Sequence, residues 1–399
     1  MGIYEEFGVT PIINASGSVT RLGGAPMPNE VLNAFKEAAS ACVPLEQLQA
    51  AASNAIAEAT GAEAGLVTAG AASALTLGTA AILTGHDLGR MEQLPHCEGF
   101  PNEFVVAREQ RNGYDHAVRA AGARLIEVGF NEIVANAGVR RTEAWEYEAA
   151  FGENTAGVLY VYSPTSRPPL AEVVEVAHGH SLPVLVDAAG ELPPRSNLQS
   201  IVATDADMVT FSGGKAIRGP QSTGILCGRW DLIGAAAVQL LDMDEHFELW
   251  QPAPEFIDKT ILGGIPRHGI GRGFKVSKEE IIALLVALRL FTSGAYDDHP
   301  AQARTLLEGI VDTLQGSPAQ CQILDKGDGE SLPLLEVAVD EASVGRTAME
   351  ICQNLRQGNP PIYVSHGALA YGILRINPLH LDEHTAGILA ERIRQELDG

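Results

Sequence analysis

Between Gly65 and Cys227 short apolar runs alternate with helical stretches, and this alternation constrains the fold more than any other feature. The runs are 65–68, 104–107, 125–128, 158–162, 184–187, 208–211 and 224–227, rich in Val, Ile, Leu and Phe. They are apolar nearly throughout instead of alternating with polar residues, so each strand needs cover on both faces. Strand, helix, strand at this spacing predicts an α/β fold with a mostly parallel sheet between helical layers. The helices have their own marks. Leu45, Leu48, Ala52, Ile56 and Ala59 share one helical face and stop at Gly61, and a small-residue helix runs from about Ala71 to Leu83.

Further along, Ser277 followed by Glu280 has the spacing of a capping box and introduces a long helix through Ile281–Leu290. Beyond residue 298 the pattern changes to helix 301–313, strand 334–339, helix 347–355, strands 362–365 and 372–376, and a last helix from Asp382. That order predicts a small α+β domain. The expected division is an N-terminal segment 1–45 contributing to the active site, a large domain 46–297 and a small C-terminal domain 298–399. Residues 85–103 show no periodicity and read as a long loop.

Composition excludes several functions. With 27 basic against 50 acidic residues the net charge is −23, which repels a phosphate backbone, and no basic stripe offsets it. The five cysteines are scattered, with no CxxC pair, which argues against a disulfide framework or structural zinc. His178 with His180 and His96 with Cys97 have no visible partners, so no metal site is expected. Residues 1–10 lack a basic, then apolar, leader, and no run reaches the ~18 apolar residues of a membrane helix. The expectation is a cytoplasmic protein.

The densest chemistry lies between residues 184 and 224. One buried strand ends in Asp187-Ala188-Ala189-Gly190, and another runs into Ser212-Gly213-Gly214-Lys215. Ligands bind at the carboxyl ends of strands in such sheets, so an acid and a lysine at two strand ends can face one site. Burial lowers a lysine's pKa, as a Schiff-base amine requires. Pyridoxal 5'-phosphate works as an electron sink when its ring nitrogen stays protonated, and Asp187 would supply the carboxylate for that. A phosphate cradle is also present: Gly70-Ala71-Ala72-Ser73 opens a helix with free backbone N–H groups and a hydroxyl, and Ser212 offers a second hydroxyl. Singly, each has a plainer reading: close packing for the turn, a helix cap for Asp187, a solvated loop for Lys215. Together, in the order cradle, acid, amine, they point to that cofactor.

The segment Ser212-Gly213-Gly214-Lys215-Ala216-Ile217-Arg218-Gly219-Pro220-Gln221-Ser222-Thr223-Gly224 resembles the lysine motif of the bacterial selenocysteine synthase, or L-seryl-tRNA(Sec) selenium transferase, family of fold-type I pyridoxal phosphate enzymes. Ile13–Gly24 and Gly271–Glu280 are also similar to that family, and the resemblance runs from about residue 8 to 395. It implies the fold-type I transferase fold, with a large cofactor domain, a small C-terminal domain and a homodimer or larger homo-oligomer. The Asn14 motif begins almost at once, where selenium transferases carry a tRNA-gripping domain first. With the acidic charge, that favours the family's small-molecule branch, which includes D-glucosaminate-6-phosphate ammonia-lyase, and no nucleic-acid partner.

On this resemblance Lys215 holds the cofactor and then serves as base for the α-proton, and Asp187 keeps the ring charged. His116 or Tyr114 would stack on the ring, though a histidine opening a helix is as often a cap. Arg375 would clamp the substrate carboxylate or stand as an edge-strand arginine in water. Arg218 and Arg272 are alternatives able to take a phosphate, Asn14 is a further substrate-binding candidate, and His268, His366 and Arg167 rank lower. The implied activity is a lyase of the ammonia-lyase or dehydratase type on a small amino acid or amino sugar acid, releasing ammonia and a 2-oxo acid by α,β-elimination. A racemase or epimerase shares the first proton transfer, and a selenium transferase stands further off.

Overall fold

The computed structural model of the protein describes residues 2–130 and 141–399. Its strands are, in chain order, β1 (Ile13–Ala15), β2 (Ala64–Thr68), β3 (Glu103–Ala107), β4 (Arg124–Val128), β5 (Thr155–Val161), β6 (Val184–Asp187), β7 (Met208–Ser212), β8 (Gly224–Gly228), β9 (Ala319–Leu324), β10 (Leu334–Val339), β11 (Ile362–Val364) and β12 (Ile373–Ile376). The described chain divides into two compact units, Met27–Thr292 and the combination of Met1–Pro26 with Ser293–Gly399.

The larger unit is built on a seven-stranded sheet in the order β2-β8-β7-β6-β5-β3-β4. Every expected strand is present, and all neighbours run parallel except β8, which is antiparallel to both β2 and β7. Two antiparallel steps leave β2 parallel to the rest, so its carboxyl end opens on the same sheet edge as those of β6 and β7. The interiors of β2, β3 and β5 to β8 are buried, as runs without polar alternation require, whereas the edge strand β4 is buried only at Val128. The helix Ala71–Thr84 lies on this sheet through its small residues; a Cβ at Gly78 would stand 3.0 Å from Leu185.

Helix ends follow their local signals. Leu45–Thr60 stops at Gly61, whose φ of +75° is reached without strain only by glycine. The helix Lys278–Thr292 opens with the reciprocal pair expected: Ser277 N–H donates to the Glu280 carboxylate (3.0 Å) and Glu280 N–H donates to the Ser277 hydroxyl (3.2 Å). Residues 85–103 are not all loop. They contain the helix Leu88–Gln93, capped by Asp87, whose carboxylate accepts from Gly89 N–H and Arg90 N–H. Six residues are too few to show a period, and the cap alone marks it.

In the other unit β12-β10-β9 form an antiparallel sheet and β1 pairs in parallel with β11, Ile13 opposite Ile362. The helices His299–Leu314, Ala348–Gln357 and Glu383–Asp398 enclose a core of Leu307, Ile351, Leu389 and Ile393 against the strands. The β1 pairing explains why the N-terminal segment groups with the C-terminal residues. Among the described residues no helix is long and apolar enough to cross a membrane.

Candidate active site

The site is set by register along the larger sheet. Thr68 of β2 pairs with Gly224 of β8, and Gly224 pairs with Ser212 of β7, so three strand ends form one row. At one end of the row the chain turns through Gly70 into the helix Ala71–Thr84. Gly70 has a φ of +89°, and its N–H donates to the Thr68 carbonyl (2.9 Å). A Cβ on Gly224 would strike the backbone of Gly70 and Ala71, so only glycine there lets the helix N-terminus settle on the strand. At the other end Ser212, half-buried, leads to Lys215. The two ends are two strand spacings apart, roughly 10 Å.

The Ser73 side chain is buried, and its hydroxyl has no hydrogen-bond partner among the described residues. It stands in the first turn of a helix, beside free N–H groups and the positive end of the helix dipole, where an anion is favoured. Ala71 and Ala72 leave that turn unobstructed by bulky side chains.

Lys215 sits in a closed loop. Gly213 N–H donates to the Thr223 carbonyl (2.9 Å), Gly219 N–H to the Gly213 carbonyl (2.8 Å) and Arg218 N–H to the Lys215 carbonyl (3.0 Å). Arg218 takes a φ of +61°, a costly conformation for a residue with a side chain. The Lys215 Nζ lies 3.9 Å from where a Cβ on Gly190 would be, which places the amine against the turn that follows Asp187.

Asp187 ends β6 and is 8% exposed. Burial pushes its carboxyl above the usual range, and the Ala189 N–H, the Lys215 ammonium and the neighbouring Thr210 hydroxyl pull it back in part. A buried carboxylate in this state gains from a cation brought beside it. A buried acid at one strand end, an amine beside it and an orphaned hydroxyl in an anion cradle are the donor set that pyridoxal phosphate requires, and these residues fit it.

A family model described as L-seryl-tRNA selenium transferase matches residues 115–242, which include both Asp187 and Lys215. A 5'-C-glycyluridine monooxygenase-decarboxylase from a Streptomyces species is 31% identical over 407 residues, covering 99% of this chain and 92% of that protein. The chain belongs to the selenocysteine synthase-like family of fold-type I pyridoxal phosphate enzymes. Within this family, the D-glucosaminate-6-phosphate ammonia lyase of Salmonella typhimurium is 29% identical over 401 residues, covering 98% and 97% of the two chains. A solved structure of a D-glucosaminate-6-phosphate ammonia-lyase superposes with a TM-score of 0.81 at 28% identity, over 100% of this chain and 98% of that one.

The remaining family-suggested residues divide between the units. In the larger unit, Tyr114 and His116 are exposed, and the carbonyl of Ala117 accepts from the Thr76 hydroxyl (2.8 Å), which fastens their helix to the cradle helix. Arg272 pairs with Asp242 (2.6 Å) and lines a cavity of about 400 Å³ with Gln49, Lys275 and Glu280. That cavity adjoins the cradle, because Gln49 bonds both backbone groups of Val67 and the Ser222 hydroxyl donates to Glu280. His268 pairs with Asp244 (3.3 Å), and Arg167 is exposed.

In the smaller unit, Asn14 closes its own turn: its amide donates to the Gly17 carbonyl (3.1 Å) and accepts from Ser16 N–H (2.9 Å). Arg375 lies on the edge strand β12 and holds Glu336 of β10 directly across the sheet (3.0 Å), so neither open water nor a free clamp describes it. His366 is exposed.

Gln110 carries no mark in the sequence. It is buried, its side-chain Oε1 accepts from Val161 N–H (3.0 Å) at the end of β5, and its Nε2 has no partner among the described residues. Only the β3–β5 pairing brings it to this edge.

Proposed function

We propose that this enzyme is a lyase acting on a small amino acid or amino sugar acid, removing the α-proton and expelling a β-substituent, so that ammonia and a 2-oxo acid are released. The observation that carries this reading is the placement of the Lys215 amine against the turn after Asp187, in the sheet row that also holds the Ser73 cradle. Pyridoxal phosphate supplies, when bound, the electron sink that makes an α-proton acidic. Ser73 and the N–H groups of the first turn would hold its phosphate, and Asp187 its ring nitrogen. Lys215 Nζ would hold it covalently, give way to the substrate amine, then take the α-proton and return a proton to the leaving group. The enamine so formed tautomerises, and water hydrolyses it to ammonia and the 2-oxo acid.

Anion recognition falls to Arg218, whose strained backbone is fixed by the Lys215 carbonyl, and to Arg272. Arg375 and Asn14 would serve the substrate carboxylate only by exchanging partners they already hold. His116 would cover the ring. We also place the enzyme in the cytoplasm as a homo-oligomer without a nucleic-acid partner.

The decarboxylase name of the Streptomyces relative favours a second reading, in which the carboxylate leaves the α-carbon in place of the proton. The test starts from the absorbance of purified protein with pyridoxal phosphate, before and after borohydride, with Lys215→Ala alongside. A visible band that borohydride removes and the variant lacks is expected, and a colourless protein overturns the assignment. Ammonia with a 2-oxo acid from a panel of D- and L-amino acids then supports the lyase, carbon dioxide the second reading, and inversion of configuration without ammonia a racemase.

A further inference from the structure

We infer that Thr210 is the positioning residue for Asp187, holding its carboxylate in the orientation that a cofactor ring nitrogen needs. This rests on the role proposed for Asp187 above.

Asp187 and Thr210 are register partners on the adjacent parallel strands β6 and β7. Side chains at paired positions project from the same face of a sheet, so the hydroxyl and the carboxylate stand side by side about one strand spacing, ~4.8 Å, apart at the backbone. The Ala188 N–H donates to the Thr210 carbonyl (3.1 Å), which ties the turn after Asp187 to the same residue. Thr210 is wholly buried, and its hydroxyl makes no hydrogen bond among the described residues. Valine would fill that volume, suit a strand equally well and desolvate nothing. A hydroxyl left unpaired there has no packing purpose.

The carboxylate beside it has capacity to spare. One Asp187 oxygen accepts from Ala189 N–H (3.0 Å), and among the described residues no backbone N–H reaches the other. A small rotation of either side chain joins the Thr210 hydroxyl to it. Burial disfavours the charged form of Asp187 most, and the Thr210 hydroxyl, near the carboxylate though not in hydrogen-bond geometry with it, offsets this in part along with the Ala189 N–H and the Lys215 ammonium. With one oxygen fixed by Ala189 and the carboxylate's rotation limited by Thr210, a cation arriving at the sheet edge meets a preoriented partner.

Three variants, read by cofactor affinity and by the visible band of bound pyridoxal phosphate, decide the matter. Thr210→Val is expected to weaken pyridoxal phosphate binding about ten-fold and displace the pH midpoint of the band, while the melting temperature of the cofactor-free protein stays level or rises. Thr210→Ser, which keeps the hydroxyl, should restore affinity to within about two-fold of the parent. Asp187→Asn should be defective, and adding Thr210→Val to it should change nothing more. Wild-type affinity and band in Thr210→Val, or a Thr210→Ser as defective as the valine variant, overturns the inference. If Asp187→Asn is itself indistinguishable from wild type, the role of Asp187 falls, and the inference with it. A defective Asp187→Asn beside a normal Thr210→Val removes Thr210 alone.

Discussion

Lys215, Asp187 and Ser73 are ordinary residues made unusual by what surrounds them. Asp187 shows it most clearly. Its carboxyl is raised above its unfolded value by burial, so folding with the group ionised costs free energy at every pH above the unfolded pKa, increasingly so up to the folded one. Asp187→Asn removes that charge. The cofactor-free variant is therefore expected to melt above the parent at neutral pH, with the gap narrowing as pH falls through the raised pKa, while cofactor affinity is lost. Differential scanning fluorimetry of both cofactor-free proteins at several pH values checks this; a variant that melts below the parent at pH 7 contradicts it. Of these residues, the lysine and aspartate were legible because Gly-Gly-Lys and Asp-Ala-Ala-Gly each follow an apolar run. Thr210 and Gln110 were not, because a threonine or glutamine carries no signal until a neighbouring strand supplies its partner.

At the scale of elements, the two edges of the larger sheet do different work. Opposite the site, Asp207 is buried just before β7 and accepts from Val184 N–H (2.7 Å), from Arg229 (2.8 Å) and from the His178 ring (3.0 Å). It joins the starts of β6 and β7 to the end of β8. Asp207→Ala would leave the buried Val184 N–H unsatisfied and is expected to cost about 3 kcal/mol of stability. The visible spectrum of the loaded enzyme should not change, since the strand ends that carry Asp187 and Lys215 lie at the other edge. Urea unfolding alongside absorbance separates the two effects, and a variant of unchanged stability would show the network to be ornamental. Strands β2, β3 and β5 to β8 could be read from sequence since each is apolar on both faces, and the edge strand β4 from its shorter run Leu125-Ile126 with Val128. The antiparallel direction of β8 could not, because burial has no sense of direction. β9 was missed because its Gln320 and Gln322 break the apolar pattern, and the three residues of β1 are too few for any pattern.

For the whole molecule, charge is the property that reaches furthest. A net charge of −23 opposes the counterion release that drives tRNA binding. Seryl-tRNA is therefore expected to show no retention by the enzyme in a gel-shift titration at physiological salt, and saturable binding that weakens with salt would restore the selenium transferase reading. The sequence by itself determined the layered α/β class, the acidic character and the kinds of side chain available for chemistry, because each depends on composition and short-range periodicity. Only the tertiary structure decided that Thr68, Gly224 and Ser212 form one row, that Thr210 stands beside Asp187 and that Arg375 holds Glu336. Those facts are matters of strand order and register between residues far apart in the chain, and strands apolar on both faces lack the one-sided alternation from which register could be read.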